Sequence, residues 1–319
     1  MNPNFNPSLK PVENFDAYND AENLQNAIKG VGTDSKTLIN ILCRRTDDQR
    51  IKIVKAYSQL FNKNLQHEII SGITGNFQNV LFGLLTPKNE FYANEIYEVL
   101  SSKSKILDLI VDVLCLMTNK EINDISNAYQ RLYDKSLEQH MREQLSGHFE
   151  NMLISLAEGK RIENPMDEKN AFQVDARLLK EAINRIFKDE AKIVEVFGCR
   201  STEHLKLMAK EYEAIKGVSL EDDIKSKFHG CFKDALLLRL NPESQCKHFS
   251  RRLHRSMAGI GTNDSTLIRI CISRCEIDMN DIKAEFQSKF SESLMSFIKG
   301  DTSGNYKKAL LALCGEATD

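Results

Sequence analysis

The chain has 319 residues, with 43 Lys and Arg against 45 Asp and Glu and a formal net charge of −2. This balance gives no electrostatic case for nucleic-acid binding, and no apolar run is long enough to span a bilayer. Length alone would suggest about two domains. In chain order, residues 1–7 (Met-Asn-Pro-Asn-Phe-Asn-Pro) are expected to form a short disordered tail, with no signal-peptide apolar stretch.

The first long pattern follows that tail. Leu38, Ile41 and Leu42, then Ile53, Tyr57, Leu60 and Phe61, then Val80, Leu81, Leu84 and Leu85 recur mostly at spacings of three and four. Such spacing predicts amphipathic helices. No Asn-Gly or Asp-Gly joins two alternating runs, so strands are not supported. Six prolines leave room for about twenty helices.

The pattern then recurs. A shift of 72 carries Gly75, Phe77, Leu81 and Leu84 onto Gly147, Phe149, Leu153 and Leu156. A shift of 155 carries Arg45, Gly75, Phe77 and Leu81 onto Arg200, Gly230, Phe232 and Leu236. A shift of 229 carries Gly30, Gly32, Thr33, Thr37, Leu38, Ile39 and Arg45 onto Gly259, Gly261, Thr262, Thr266, Leu267, Ile268 and Arg274. The chain is read as all-α, four five-helix repeats of about 70 residues that bury their faces on one another. The expected limits are a tail at 1–15 and repeats at 16–87, 88–158, 171–243 and 244–319. A linker at 159–170 carries the helix breakers Gly159 and Pro165.

Eight cysteines are present; Cys43 and Cys115 match between repeats, and Cys271 and Cys275 lie one helical turn apart with no second pair at zinc spacing. They are read as reduced, buried thiols of a cytosolic protein. Arg45, Arg200 and Arg274 are read as structural, each gathering carbonyls of a neighbouring turn.

The Gly-x-Gly-Thr loop admits two readings. Gly30 can be the left-handed residue that ends one helix, with Thr33 or Asp34 capping the next. The same turn also points successive carbonyls outward. In the fourth repeat the carbonyls of Met257, Gly259 and Gly261 can face one hard cation. Asp301, 40 positions after Gly261, supplies a carboxylate if the intervening helices return to the loop. Carbonyls at irregular geometry suit calcium better than magnesium.

Gly-x-Gly-Thr followed 38 to 40 residues later by an acid, in four repeats of this length, resembles the annexin family. The resemblance covers the chain from about residue 15 to residue 316, most closely in Ile298-Lys-Gly-Asp-Thr-Ser-Gly-Asn-Tyr-Lys-Lys-Ala-Leu. It implies a slightly curved, all-helical disc whose Ca2+ loops bind acidic, phosphatidylserine-like phospholipid membranes, with lipid phosphoryl oxygens completing the ion's shell. It further implies a cytoplasmic protein peripheral on membranes, and is compatible with secretion without a signal peptide, self-association on membranes and a protein partner for the N-terminal tail.

Carried over repeat by repeat, the main site is Met257, Gly259, Gly261 and Asp301. The first repeat keeps the carbonyls of Ile28, Gly30 and Gly32 but has Gly72 in place of the acid. Glu68, one turn earlier, is the candidate substitute. A secondary family site uses the Thr262 carbonyl and Asp264, the latter equally readable as a helix-dipole partner; Ser35 replaces that acid in the first repeat. The second repeat has Ser102-Lys103-Ser104-Lys105 at the loop and Gln144 at the acid position. The third has Ile186-Phe187-Lys188 and Lys227. Neither is expected to bind Ca2+ there.

The alternative is a membrane or protein scaffold that binds largely without calcium, through Lys29, Lys103, Lys105 and Lys188. No Gly-x-x-x-x-Gly-Lys-Ser/Thr, His-Glu-x-x-His or Gly-x-Ser-x-Gly motif supports an enzyme, and no EF-hand loop is present.

Overall fold

The protein is described from a computed structural model, which places residues 5–29, 32–103, 106–162, 171–185 and 188–317. Among these are twenty α-helices and no strand. The first repeat holds α1 (Ala17–Lys29), α2 (Ser35–Leu42), α3 (Asp47–Phe61), α4 (Leu65–Gly72) and α5 (Gly75–Leu85). The second holds α6 (Lys88–Ser101), α7 (Asp108–Leu114), α8 (Asn119–Tyr133), α9 (Leu137–Gln144) and α10 (His148–Ala157). The third holds α11 (Ala171–Asn184), α12 (Glu190–Cys199), α13 (Thr202–Lys216), α14 (Leu220–Lys227) and α15 (Gly230–Leu240). The fourth holds α16 (Gln245–Met257), α17 (Asp264–Arg274), α18 (Met279–Phe290), α19 (Leu294–Asp301) and α20 (Gly304–Leu313).

The same local chemistry sets the third-to-fourth helix turn in every repeat. The third helix ends on a left-handed residue: Asn62, Asp134, Gly217 or Ser291. The fourth helix is then capped by Asn64, Ser136, Ser219 or Ser293, whose side chain accepts an N–H from the first turn. Thr46 and Thr118 open their helices with capping boxes closed by Gln49 and Glu121.

The repeats group into two compact units, one of residues 1–88 and 246–319 and the other of 89–245. In the first, α5 packs on α17 and α20 packs on α2. In the second, α10 packs on α12 and α15 packs on α7. Both units therefore use one arrangement, the fifth helix of each repeat against the second helix of its partner. The buried apolar residues lie along these faces, Leu38, Leu42, Val80, Leu81, Leu267 and Leu310 among them.

Several expectations need correction. Asn6 to Leu9 are not a free tail. The Leu9 N–H donates to the Cys275 carbonyl at 2.9 Å, the Ser8 hydroxyl to the Leu313 carbonyl at 2.5 Å, and the Asn6 N–H to Asp281 at 2.8 Å. Residues 1–4 and the 163–170 part of the expected linker lie outside the described residues. Arg45, Arg200 and Arg274 hold carboxylates rather than carbonyls: Asp20 at 2.7 Å, Asp175 at 2.8 Å and Asp278 at 2.6 Å. Arginines that do gather carbonyls include Arg50, on Leu84 at 2.8 Å, and Arg239, on Phe197 and Arg200 at 3.1 and 2.6 Å. All eight cysteines are free; Cys43, Cys115, Cys271, Cys275 and Cys314 are buried, but Cys199 is exposed and Cys231 and Cys246 are half-buried. Burial pushes the Cys43 thiol up to about 12, so it stays a neutral thiol.

Candidate functional site

The loop between the first and second helices closes the same way in three repeats. The Asp34 N–H donates to Ala27, that of Asp189 to Ala182 and that of Asn263 to Ser256, at 2.9, 3.1 and 2.7 Å. The donor residue then caps the following helix. Asp34 accepts from Lys36 and Thr37, Asp189 from Lys192 and Asn263 from Thr266. Of the expected caps, Asp34 acts as one. The capping reading and the carbonyl reading are compatible, since the cap uses a side chain and leaves the loop carbonyls free.

In the fourth repeat the backbone turns at Gly259 (φ +114°) and Gly261 (φ +87°). Side chains rarely adopt these angles, which explains the glycines. No atom lies within 4 Å of where a Cβ would stand on either, so the loop is open to an approaching group. Ile260, between them, is fully exposed. Asp301, the last residue of α19, reaches the loop. The Thr262 hydroxyl donates to its Oδ2 at 2.6 Å. One oxygen is thereby oriented and the other is left for a further partner. Asp264 opens α17 and accepts from the Tyr306 hydroxyl at 2.8 Å. Burial, and then Asp264 itself, push the Tyr306 hydroxyl well above its ordinary range, so it remains a donor. Among the described residues no three His, Cys, Asp or Glu side chains gather as metal ligands. A cation here would rest mainly on backbone oxygens.

The first repeat has the same layout without the acid. Gly32 is left-handed (φ +85°), Ile28 lies in the last turn of α1, and Gly30 falls outside the described residues. A Cβ on Gly72 would stand 2.9 Å from the Thr33 hydroxyl. Gly72 thus occupies the place relative to Thr33 that Asp301 occupies relative to Thr262. Where the carboxylate would be, there is an open cavity of about 500 Å3 bordered by Thr33, Ser35, Thr74 and Ser303.

Glu68 is not brought to this place. Its carboxylate pairs with Lys63 at 2.7 Å, and its charge is felt by the buried Tyr57. The corresponding positions in the other repeats are His140, Asp223 and Phe297. His140 hydrogen-bonds Tyr129, Asp223 accepts from Tyr212, and Phe297 packs on Phe286 at 5.4 Å between ring centroids. This position faces the buried aromatic of the third helix in each repeat, a role visible only when all four are aligned.

In the third repeat a lysine stands at the acid position and is tethered. The Lys227 ammonium donates to Asn184 Oδ1 at 2.7 Å and pairs with Asp223 at 3.1 Å. Lys188 lies 5.6 Å from the Phe228 ring. Ile186, Phe187, Ser104 and Lys105 lie outside the described residues.

Comparison with known proteins decides the family. An annexin family model matches residues 19–84, 92–156, 174–238 and 248–313. This chain belongs to the annexin family. It is 38% identical to annexin A4 of Bos taurus over 310 residues, 97% of each chain. A solved structure of annexin III superposes with a TM-score of 0.90 at 37% identity, covering 98% of both chains. Calcium-bound annexin (Sm)1 superposes with a TM-score of 0.88 at 28% identity, covering 99% of this annexin and 94% of that chain. Among the described residues no helix is long and apolar enough to cross a membrane.

Proposed function

We propose that this annexin docks on acidic phospholipid membranes by holding Ca2+ in the fourth-repeat loop, with the carbonyls of Met257, Gly259 and Gly261 and the carboxylate of Asp301 as ligands. The reading is carried by the Thr262–Asp301 hydrogen bond, which ties the only acid of the set to the glycine loop across 39 positions. The donor set suits the ion: three neutral carbonyls and one carboxylate, in an open turn, match a hard cation tolerant of irregular geometry. Calcium-bound annexin (Sm)1 lends family support.

The chain's residues divide the work. Gly259 and Gly261 shape the turn. Thr262 orients one Asp301 oxygen. Ile260 offers an apolar tip to the membrane interface. The bound cation would supply positive charge with open coordination positions for lipid phosphate oxygens. With one carboxylate per site, calcium alone should bind on the order of 10⁻⁴–10⁻³ M, and lipid should tighten it reciprocally. The first-repeat loop is proposed as an incomplete site, and Thr262 with Asp264 as a secondary one. The proposed act is docking without catalysis, by a cytoplasmic protein peripheral on membranes that gains avidity if it self-associates there.

Co-sedimentation with phosphatidylserine vesicles across a calcium titration tests this. Wild type should bind only with calcium, and Asp301→Ala should lose the binding. Equal binding by the two proteins would end the assignment.

A further inference from the structure

A second cavity in the unit formed by the first and fourth repeats is used by none of the calcium loops. It has a volume of about 580 Å3 and is bordered by Lys36, Asn40, Lys299, Asn305, Lys308 and Glu316. Sequence spacing puts these groups there. Lys36 and Asn40 are four apart on α2, and Asn305 and Lys308 are three apart on α20, so each pair shares one helix face. The two helices pack side by side.

Among the described residues, the lining carries three lysines against one carboxylate. Glu316 is engaged by Lys299 at 2.5 Å. Asp34, the nearest acid in sequence to Lys36, is turned to the Lys36 and Thr37 amides at 3.0 and 3.2 Å and to the Thr37 hydroxyl at 2.6 Å; it keeps its charge and feels that of Lys36, but is not among the groups that border the cavity. Among the described residues, Lys36 and Lys308 have no carboxylate within ion-pair distance. Two ammonium groups therefore border a cavity whose other polar groups are amides and one neutralised ion pair.

The paired repeats supply an internal control. The unit packs a second pair of helices in the same way, α17 against α5. A shift of 229 places Ser265, Ile70 and Asn79 where Lys36, Lys299 and Lys308 stand. The packing is common to both helix pairs, but the lysines occur in only one; the cation of the other, Arg269 at the place of Asn40, is buried. Helix packing therefore does not require them. Asn305 also borders the neutral cavity beside Gly72, so loss of the acid there leaves no carboxylate to repel an anion from that side.

We propose that this cavity binds a phosphomonoester group carried on a polyol, through Lys36 and Lys308 and without a metal ion. A phosphomonoester carries about −1.5 to −2 charges near neutral pH, which matches two ammonium groups. The Asn305 amide can serve the polyol hydroxyls. The carrier is either a lipid headgroup or a soluble phosphate, and these two sources share the chemistry.

The test is run in excess chelator, which removes the calcium reading from the outcome. Soluble inositol trisphosphate is titrated calorimetrically in one arm. In the other, the protein is sedimented with phosphatidylcholine vesicles containing phosphatidylinositol bisphosphate. Wild type and Asp301→Ala should bind alike in at least one arm, and that arm names the source. Lys36→Ala/Lys308→Ala should weaken binding by about tenfold or more, the loss of two charge-assisted hydrogen bonds. Lys120→Ala, an exposed lysine of the second repeat, should bind like wild type. Since Lys36 and Lys308 are exposed, the double variant should keep its melting temperature. No binding by wild type in either arm overturns the proposal. So does equal weakening by Lys120→Ala, which would mean unspecific surface charge.

Discussion

The loops of the first and fourth repeats share their glycines, their threonine and their closing hydrogen bond, yet they differ at the acid position. Thr262 donates to Asp301, whereas Thr33 faces the empty place beside Gly72. A second difference accompanies the first. Asp264 is tied to Tyr306, while the matching residues Ser35 and Phe77 have no such pair to make. On the proposed reading, a glycine loop fixes where carbonyls point and the side chain 40 residues away sets its preference for a cation. The third repeat shows the opposite sign at that position, where Lys227 fills the space with its own ammonium.

The largest effect should come from removing the acid. Asp301→Ala takes away the only full negative charge of the proposed donor set, and the calcium needed for half-maximal vesicle binding should rise on the order of a hundredfold. Folding should barely change, because Thr262 is only half-buried and its hydroxyl can turn to water. An unchanged calcium requirement would mean that the two loops are equivalent after all. The converse experiment rebuilds the missing group. Gly72 ends a helix without a left-handed φ, so its backbone accepts a side chain, and only the Thr33 hydroxyl must move aside. Gly72→Asp should lower the half-maximal calcium concentration by about threefold to tenfold through a second site on one body. Equilibrium dialysis should then count one more bound ion than in wild type.

A smaller effect than loss of the acid is expected from the residue that orients it. Thr262→Val keeps the shape of the loop but frees the Asp301 carboxylate to rotate. Half-maximal calcium should rise by about tenfold, the value of one hydrogen bond to a charged group near the low end of its range. Asp301→Asn in the same background should add a much larger loss, which would separate orientation from charge.

Much of this contrast was legible in the sequence. The repeat period, the glycines and the acid at a fixed offset are all set by backbone geometry, which leaves a one-dimensional trace. The sign at the acid position, Asp301, Gly72, Gln144 or Lys227, is read directly. What needed three dimensions was the direction of side chains. Glu68 lies one turn from Gly72, but that position turns inward to the third helix, as His140 and Asp223 do. The partners of Arg45 and Arg200 were hidden because they lie on a different helix, although Asp20 and Asp175 each precede their arginine by 25 positions. Docking of Ser8 and Leu9 has no periodic signal at all, since it rests on backbone hydrogen bonds.

The smallest expected difference lies in the caps. Asp34 and Asn263 do the same work at the start of α2 and α17, but only Asp34 can be titrated. Its hydrogen bonds, first from the Thr37 hydroxyl and then from the Thr37 amide, hold its pKa below the ordinary carboxylate value of 3.8. A carboxyl whose pKa is lower in the folded chain stabilises that chain above its unfolded pKa, and the contribution fades as pH falls through the folded value. The α2 cap should therefore loosen as pH drops below about 4, while the Asn263 cap should not. Amide hydrogen exchange, corrected for intrinsic rates, would show this as faster opening at Lys36 and Thr37 with no matching change at Thr266. Asp34→Asn should make the first-repeat loop behave like the fourth, with a pH-independent cap. If Thr37 and Thr266 respond alike to acid in wild type, then global loosening rather than the cap governs both loops, and the difference between them reduces to the acid at Asp301.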